Sequence, residues 1–143
     1  MLKTIHSFWA YVVLITLILA VFKALKSIIL KREYNPKMFQ LALLALIVNH
    51  IQFLISLFLY FSSERFSIWF ELGLSEILEV TSYRLYLIEH PLTNVIAITL
   101  VTVGYSKHKK QRLSYKKYKS VIVFYLLALL LILSRIPWEV WPS

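Results

Sequence analysis

Four stretches of the chain are almost free of charge, and each is long enough to cross a bilayer as a helix. The first runs from Ile5 through Phe22 and continues past Lys23 and Lys26 to Leu30. Both lysines can snorkel to one interface along their own alkyl stems. The second, Met38 to Phe61, is 24 residues, or about 36 Å of helix at 1.5 Å per residue. The third, Pro91 to Tyr105, is less apolar and extends back over Tyr83–Ile88. The fourth, Ser120 to Ile136, has an unbroken apolar centre from Leu126 to Leu133. A spanning helix needs about 20 such residues. The pattern predicts one all-α domain, an up-and-down four-helix bundle in a membrane, with helices over about 5–30, 38–61, 83–106 and 120–136. Phe22-Lys23-Ala24-Leu25-Lys26 offers no small-x-small cleavage site, so the first helix is read as retained and not as a signal peptide.

Ser62 to Glu89 is too long and too apolar for a plain loop. Phe66, Ile68, Trp69, Phe70, Leu72 and Leu74 alternate with Ser, Glu and Gly. This predicts a short amphipathic piece lying at one interface, anchored by Trp69. Trp138 and Trp141, beside Pro137, predict an aromatic belt on the same side.

Charge supplies the orientation. Lys23, Lys26, Lys31, Arg32 and Lys37 bracket the first connection, and Lys107, Lys109, Lys110, Arg112, Lys116, Lys117 and Lys119 fill the third. The second connection carries Glu64, Glu71, Glu76, Glu79 and Glu89 against Arg65 and Arg84. The positive-inside bias places the two basic loops in the cytoplasm and both termini, with the Glu-rich connection, on the other side of the membrane. The net charge of +9 therefore reads as an orientation signal and a lipid-attracting surface, not as a nucleic-acid footprint.

Composition removes much chemistry. Only 16% of residues are charged and 59% are hydrophobic, against about a quarter charged in a soluble domain. With no cysteine and no aspartate, disulfides, zinc–cysteine centres, iron–sulfur clusters, thiol nucleophiles and aspartate-based magnesium sites are excluded. No Gly-rich fingerprint cradles a phosphate, and no serine or threonine sits in a nucleophile turn. Only two glycines are present, so close glycine-mediated helix contacts are scarce. Packing by larger side chains, or a cofactor filling the core, is expected instead.

The polar residues inside the apolar stretches carry what chemistry remains. His50, flanked by Asn49 and Gln52 near the middle of the second stretch, is expected to face the bundle, as a functional group or as interhelical glue. His6 and His90 open the first and third helices, which run in the same direction and are diagonal neighbours in such a bundle. Two facing imidazoles at one depth are what a six-coordinate b-type haem needs; the alternative is two wet interfacial histidines. Arg84 and Arg135 suit haem propionates. Glu89 either takes the His90 N–H and orients the ring, or forms an interfacial ion pair with Arg84. His108 follows His90 by five turns within Lys107-His108-Lys109-Lys110 and reads as solvated or lipid-bound.

Five signatures together resemble a known group. They are Leu2-Lys3-Thr4-Ile5-His6-Ser7-Phe8-Trp9, Asn49-His50-Ile51-Gln52-Phe53-Leu54, Glu89-His90-Pro91-Leu92, Val103-Gly104-Tyr105-Ser106-Lys107 and Ile136-Pro137-Trp138. Across nearly the whole chain they resemble small four-helix bacterial membrane proteins catalogued as cytochrome b, and more faintly one four-helix half of the haem A synthase fold. The resemblance implies haem b held by His6, His50 or His90, electron transfer, and a quinone or redox protein as partner. The competing expectation is a cofactor-free scaffold, as a homo-oligomer or a subunit of a membrane complex.

Overall fold

Each apolar stretch becomes one long helix in the computed structural model, which describes residues 1–142. These are α1, Leu2–Ile29; α2, Pro36–Ser62; α3, Thr81–Lys110; and α4, Ser114–Ser134. All four are long and apolar enough to cross a membrane, and no strand forms among the described residues. The protein is an all-α four-helix bundle. α3 and α4 are longer than their apolar stretches at the basic end, because Lys107 to Lys110 and Ser114 to Lys119 continue the helix. Lysine is a good helix former, and hydropathy marks where lipid ends rather than where a helix ends.

Local chemistry sets the turns. α1 closes in a Schellman motif: the Arg32 N–H donates to the Ser27 carbonyl and the Lys31 N–H to that of Ile28. Lys31 holds the left-handed position, φ 52°, where glycine is usual. α2 opens with Asn35 accepting the Met38 N–H at 2.9 Å and Pro36 in the first turn.

α1 packs on α2 and α4, and α3 packs on α2 and α4, so α1 and α3 face each other diagonally. The seam is lined by alanine: Ala20, Ala24, Ala42, Ala45, Ala97 and Ala128 are all buried. This corrects the expectation drawn from the scarcity of glycine. Alanine supplies the small side chains that let membrane helices approach, so the composition is no argument for a cofactor. At Gly104 α3 lies directly against α4: a Cβ there would overlap the Phe124 side chain. Leu17 and Tyr125 fill the centre, and the Tyr125 hydroxyl donates to the Ala42 carbonyl at 2.7 Å.

Between α2 and α3 the chain makes short helical turns at Glu64–Ser67, Ile68–Glu71 and Leu74–Glu79. Trp69 is half-buried and donates its indole N–H to the Tyr60 hydroxyl at 2.9 Å. Its neighbour Phe70 is the exposed aromatic, at 82%. Both termini lie at this acidic end, where Trp141 packs on Tyr11 with ring centroids 4.7 Å apart.

Candidate histidine-pair site

At the acidic end the four helices part around a small cavity of about 60 Å³. His6 and Val13 of α1, Asn49, Gln52 and Ser56 of α2, His90 and Asn94 of α3, and Ile132 of α4 line it. The rings of His6 and His90 stand across the bundle diagonal with centroids 6.2 Å apart and planes at 79°.

Local structure fixes both rings. Pro91 cannot donate an N–H to the Leu87 carbonyl four residues back. The chain answers with a π turn at Leu85–Glu89, and the Tyr60 hydroxyl takes the Leu87 carbonyl instead at 3.0 Å. That turn delivers His90 to the head of the α-helical part of α3. Pro137 disfavours a helical Ile136, so α4 stops at Ser134 and its last carbonyls have no partner in the helix. One of them, Arg135 O, accepts the His90 Nδ1–H at 2.8 Å. Across the cavity the Ser56 hydroxyl donates to the Gln52 carbonyl at 2.7 Å and so accepts the His6 Nδ1–H at 3.2 Å. The Gln52 amide donates to the His6 carbonyl at 3.0 Å.

The Arg135 carbonyl only accepts, so His90 is protonated at Nδ1; His6 is protonated there too where Ser56 gives its own proton to the Gln52 carbonyl. Neither Nε2 makes a hydrogen bond among the described residues. Fixing one imidazole nitrogen on a carbonyl or hydroxyl is how proteins prepare the other as a metal ligand. The Gln52 side-chain oxygen is a further buried acceptor with no partner among these residues.

Of the residues singled out in the sequence, His6, His90 and the Arg84–Glu89–Arg135 group gather here. Glu89 pairs with Arg84 at 2.8 Å and Arg135 at 3.5 Å. It does not receive the His90 N–H, which goes to the stronger-positioned Arg135 carbonyl. His50 is not part of the site. It points outward from α2, exposed, with Nδ1 on the Leu46 carbonyl at 2.8 Å. The helical phase that turns Asn49 inward turns His50 out. No group of three or more His, Cys, Asp or Glu gathers among the described residues.

His108 is also placed differently from its expectation. It is fully buried at the basic end. Its Nδ1–H donates to the Tyr105 carbonyl, and its Nε2 accepts the Tyr34 hydroxyl at 2.7 Å. Burial, and then the neighbouring tyrosines, raise the Tyr34 pKa above its ordinary value, so the hydroxyl stays a donor. Tyr118 donates to the Glu33 carbonyl at 2.8 Å, and Lys117 caps the His108 carbonyl at 3.1 Å. The knot ties both basic loops together.

In comparisons with protein-family models, curated proteins and solved structures, nothing matches this chain.

Proposed function

We propose that the chain is a b-type haem protein of a bacterial inner membrane that carries electrons, with His6 and His90 as the residues that would hold the haem iron. The pairing of two imidazoles across the bundle, each with Nδ1 anchored and Nε2 without a hydrogen bond among the described residues, carries this reading.

The residues fit the group. Two Nε2 lone pairs are free, both Nδ1 atoms are anchored, and Arg84 and Arg135, now shared by Glu89, are the guanidiniums suited to propionates. The enclosed space is smaller than a macrocycle, so the acidic ends of α1 and α3 must separate to admit one. They are diagonal and pack on α2 and α4 rather than on each other, so little direct contact is lost. Haem supplies one-electron chemistry when bound; this chain's residues hold and orient it and exclude water with Val13, Ile98 and Ile132. In this reading the basic loops face the cytoplasm, the acidic end faces the periplasm, and a quinol or a redox protein supplies electrons.

Oxidised and dithionite-reduced spectra of the purified protein, with haem quantified against protein, test the proposal. A Soret band with sharp reduced α and β bands, lost in His6→Ala and in His90→Ala but kept in His50→Ala, is the expected result. A colourless protein from haem-competent cells would overturn it and leave the scaffold.

A further inference from the structure

At the basic end, α1 turns Ala20, Ala24 and Ser27 into the bundle and leaves its opposite face uncovered. Phe22, Leu25, Ile29 and Leu30 on that face are 46–69% exposed. With Lys26 they line a groove of about 320 Å³. Lys23 and Lys26 are exposed beside it, and neither ammonium makes a hydrogen bond or ion pair among the described residues. Lys23 lies six residues before Ile29, about 9 Å inside the helix end, so its stem crosses the apolar patch before its ammonium reaches the interface.

The electrostatics of this end are one-sided. Twelve Lys and Arg side chains, from Lys23 to Lys37 and from Lys107 to Lys119, face Glu33 as the only acid. Both salt bridges among the described residues lie at the other end, on Glu89. The protein therefore carries almost none of the counter-charge this surface needs.

We propose that the uncovered face of α1 binds an anionic phospholipid. Its phosphate sits on Lys23 and Lys26, and an acyl chain lies along Phe22, Leu25, Ile29 and Leu30. A second copy of the chain fits poorly, because it would bring twelve more cations to the same place. It would also meet a face with no small residue for close helix approach. A zwitterionic lipid fills the groove but leaves the charge unanswered. The inference does not depend on the haem reading.

The test is native mass spectrometry of the full chain released from nanodiscs of equal phosphatidylglycerol and phosphatidylcholine. The wild type should retain phosphatidylglycerol several-fold over phosphatidylcholine. The double variant K23Q/K26Q should lose that preference, whereas K116Q/K119Q, with the same charge removed outside the groove, should keep it. Equal retention of the two lipids, equal loss in both variants, or a dimer without lipid would each overturn the proposal. Phe22→Trp gives a second measurement, since the four native tryptophans lie elsewhere. Its fluorescence should be quenched more by brominated phosphatidylglycerol than by brominated phosphatidylcholine, and equal quenching would overturn the assignment.

Discussion

The two ends of the bundle are each built around imidazoles, and they differ in what is left over. At the basic end His108 uses both nitrogens, on Tyr34 and the Tyr105 carbonyl, while Lys117 and Tyr118 bond to backbone carbonyls beside it. At the acidic end His6 and His90 each use one nitrogen, and the Gln52 oxygen beside them uses none. A buried network with all its bonds made holds a fold together; at the acidic end lone pairs are left beside a cavity, which is what the proposed ligand role would use. The same residue type, on the same helix in the case of His90 and His108, is fully bonded at one end and half-bonded at the other. Its neighbours decide which.

The comparison breaks if the basic end proves dispensable. His108→Ala should be the most destabilising change, by about 3 kcal/mol or more. It empties a fully buried site and removes the partner of the Tyr34 hydroxyl. Thermal or denaturant unfolding in detergent measures this, with His90→Ala alongside; His90→Ala should lose less than half as much, because its partner carbonyl ends a helix near the surface. Equal losses would mean that both ends are structural. Gly104→Ala comes next, at about 2 kcal/mol, because the new methyl meets Phe124 where α3 lies directly against α4. Tyr118→Phe removes one hydrogen bond from the Glu33 carbonyl and should lower stability by about 1 kcal/mol.

Much of this was legible in the residues, and the part that was not has a physical cause. Apolar runs of membrane length predict the four helices because lipid leaves the backbone no alternative. Chain direction alone puts His6 and His90 at one depth, and the up-and-down order of the bundle makes their helices diagonal. What composition and spacing leave open is the rotation of each helix. His50 and Asn49 are adjacent, yet one is exposed on the outside of the bundle and the other lines the cavity. The run Leu41 to Val48 that precedes them is apolar all round and carries no stripe to fix that phase. His108 was misread because its lysine neighbours dominate the local composition, although Tyr34 and Tyr118, 74 residues and 10 residues away in the chain, are what bury it. The signal that could have found it is the histidine's period of 18 residues from His90, which keeps both on the inner face of α3. Pro91 and Pro137 mark the site most directly, since each frees a backbone carbonyl near His90.

The smallest predicted effect is the most discriminating. Gln52→Leu keeps the volume of the side chain and removes an unpaired buried oxygen, which relieves a desolvation penalty of about 1–3 kcal/mol. It also removes the amide bond to the His6 carbonyl, worth about 1 kcal/mol, but that carbonyl lies inside α1, where the helix already supplies a donor. The two changes oppose each other, so stability should shift by less than about 1 kcal/mol in either direction. A loss of 2 kcal/mol or more would mean that the oxygen has a partner in the membrane protein as it exists, and that the acidic end is as fully bonded as the basic end. In that case the free Nε2 atoms would stand alone as the mark of a binding site. A neutral result would instead show that this end keeps an unanswered acceptor next to two unanswered imidazoles without needing it for folding.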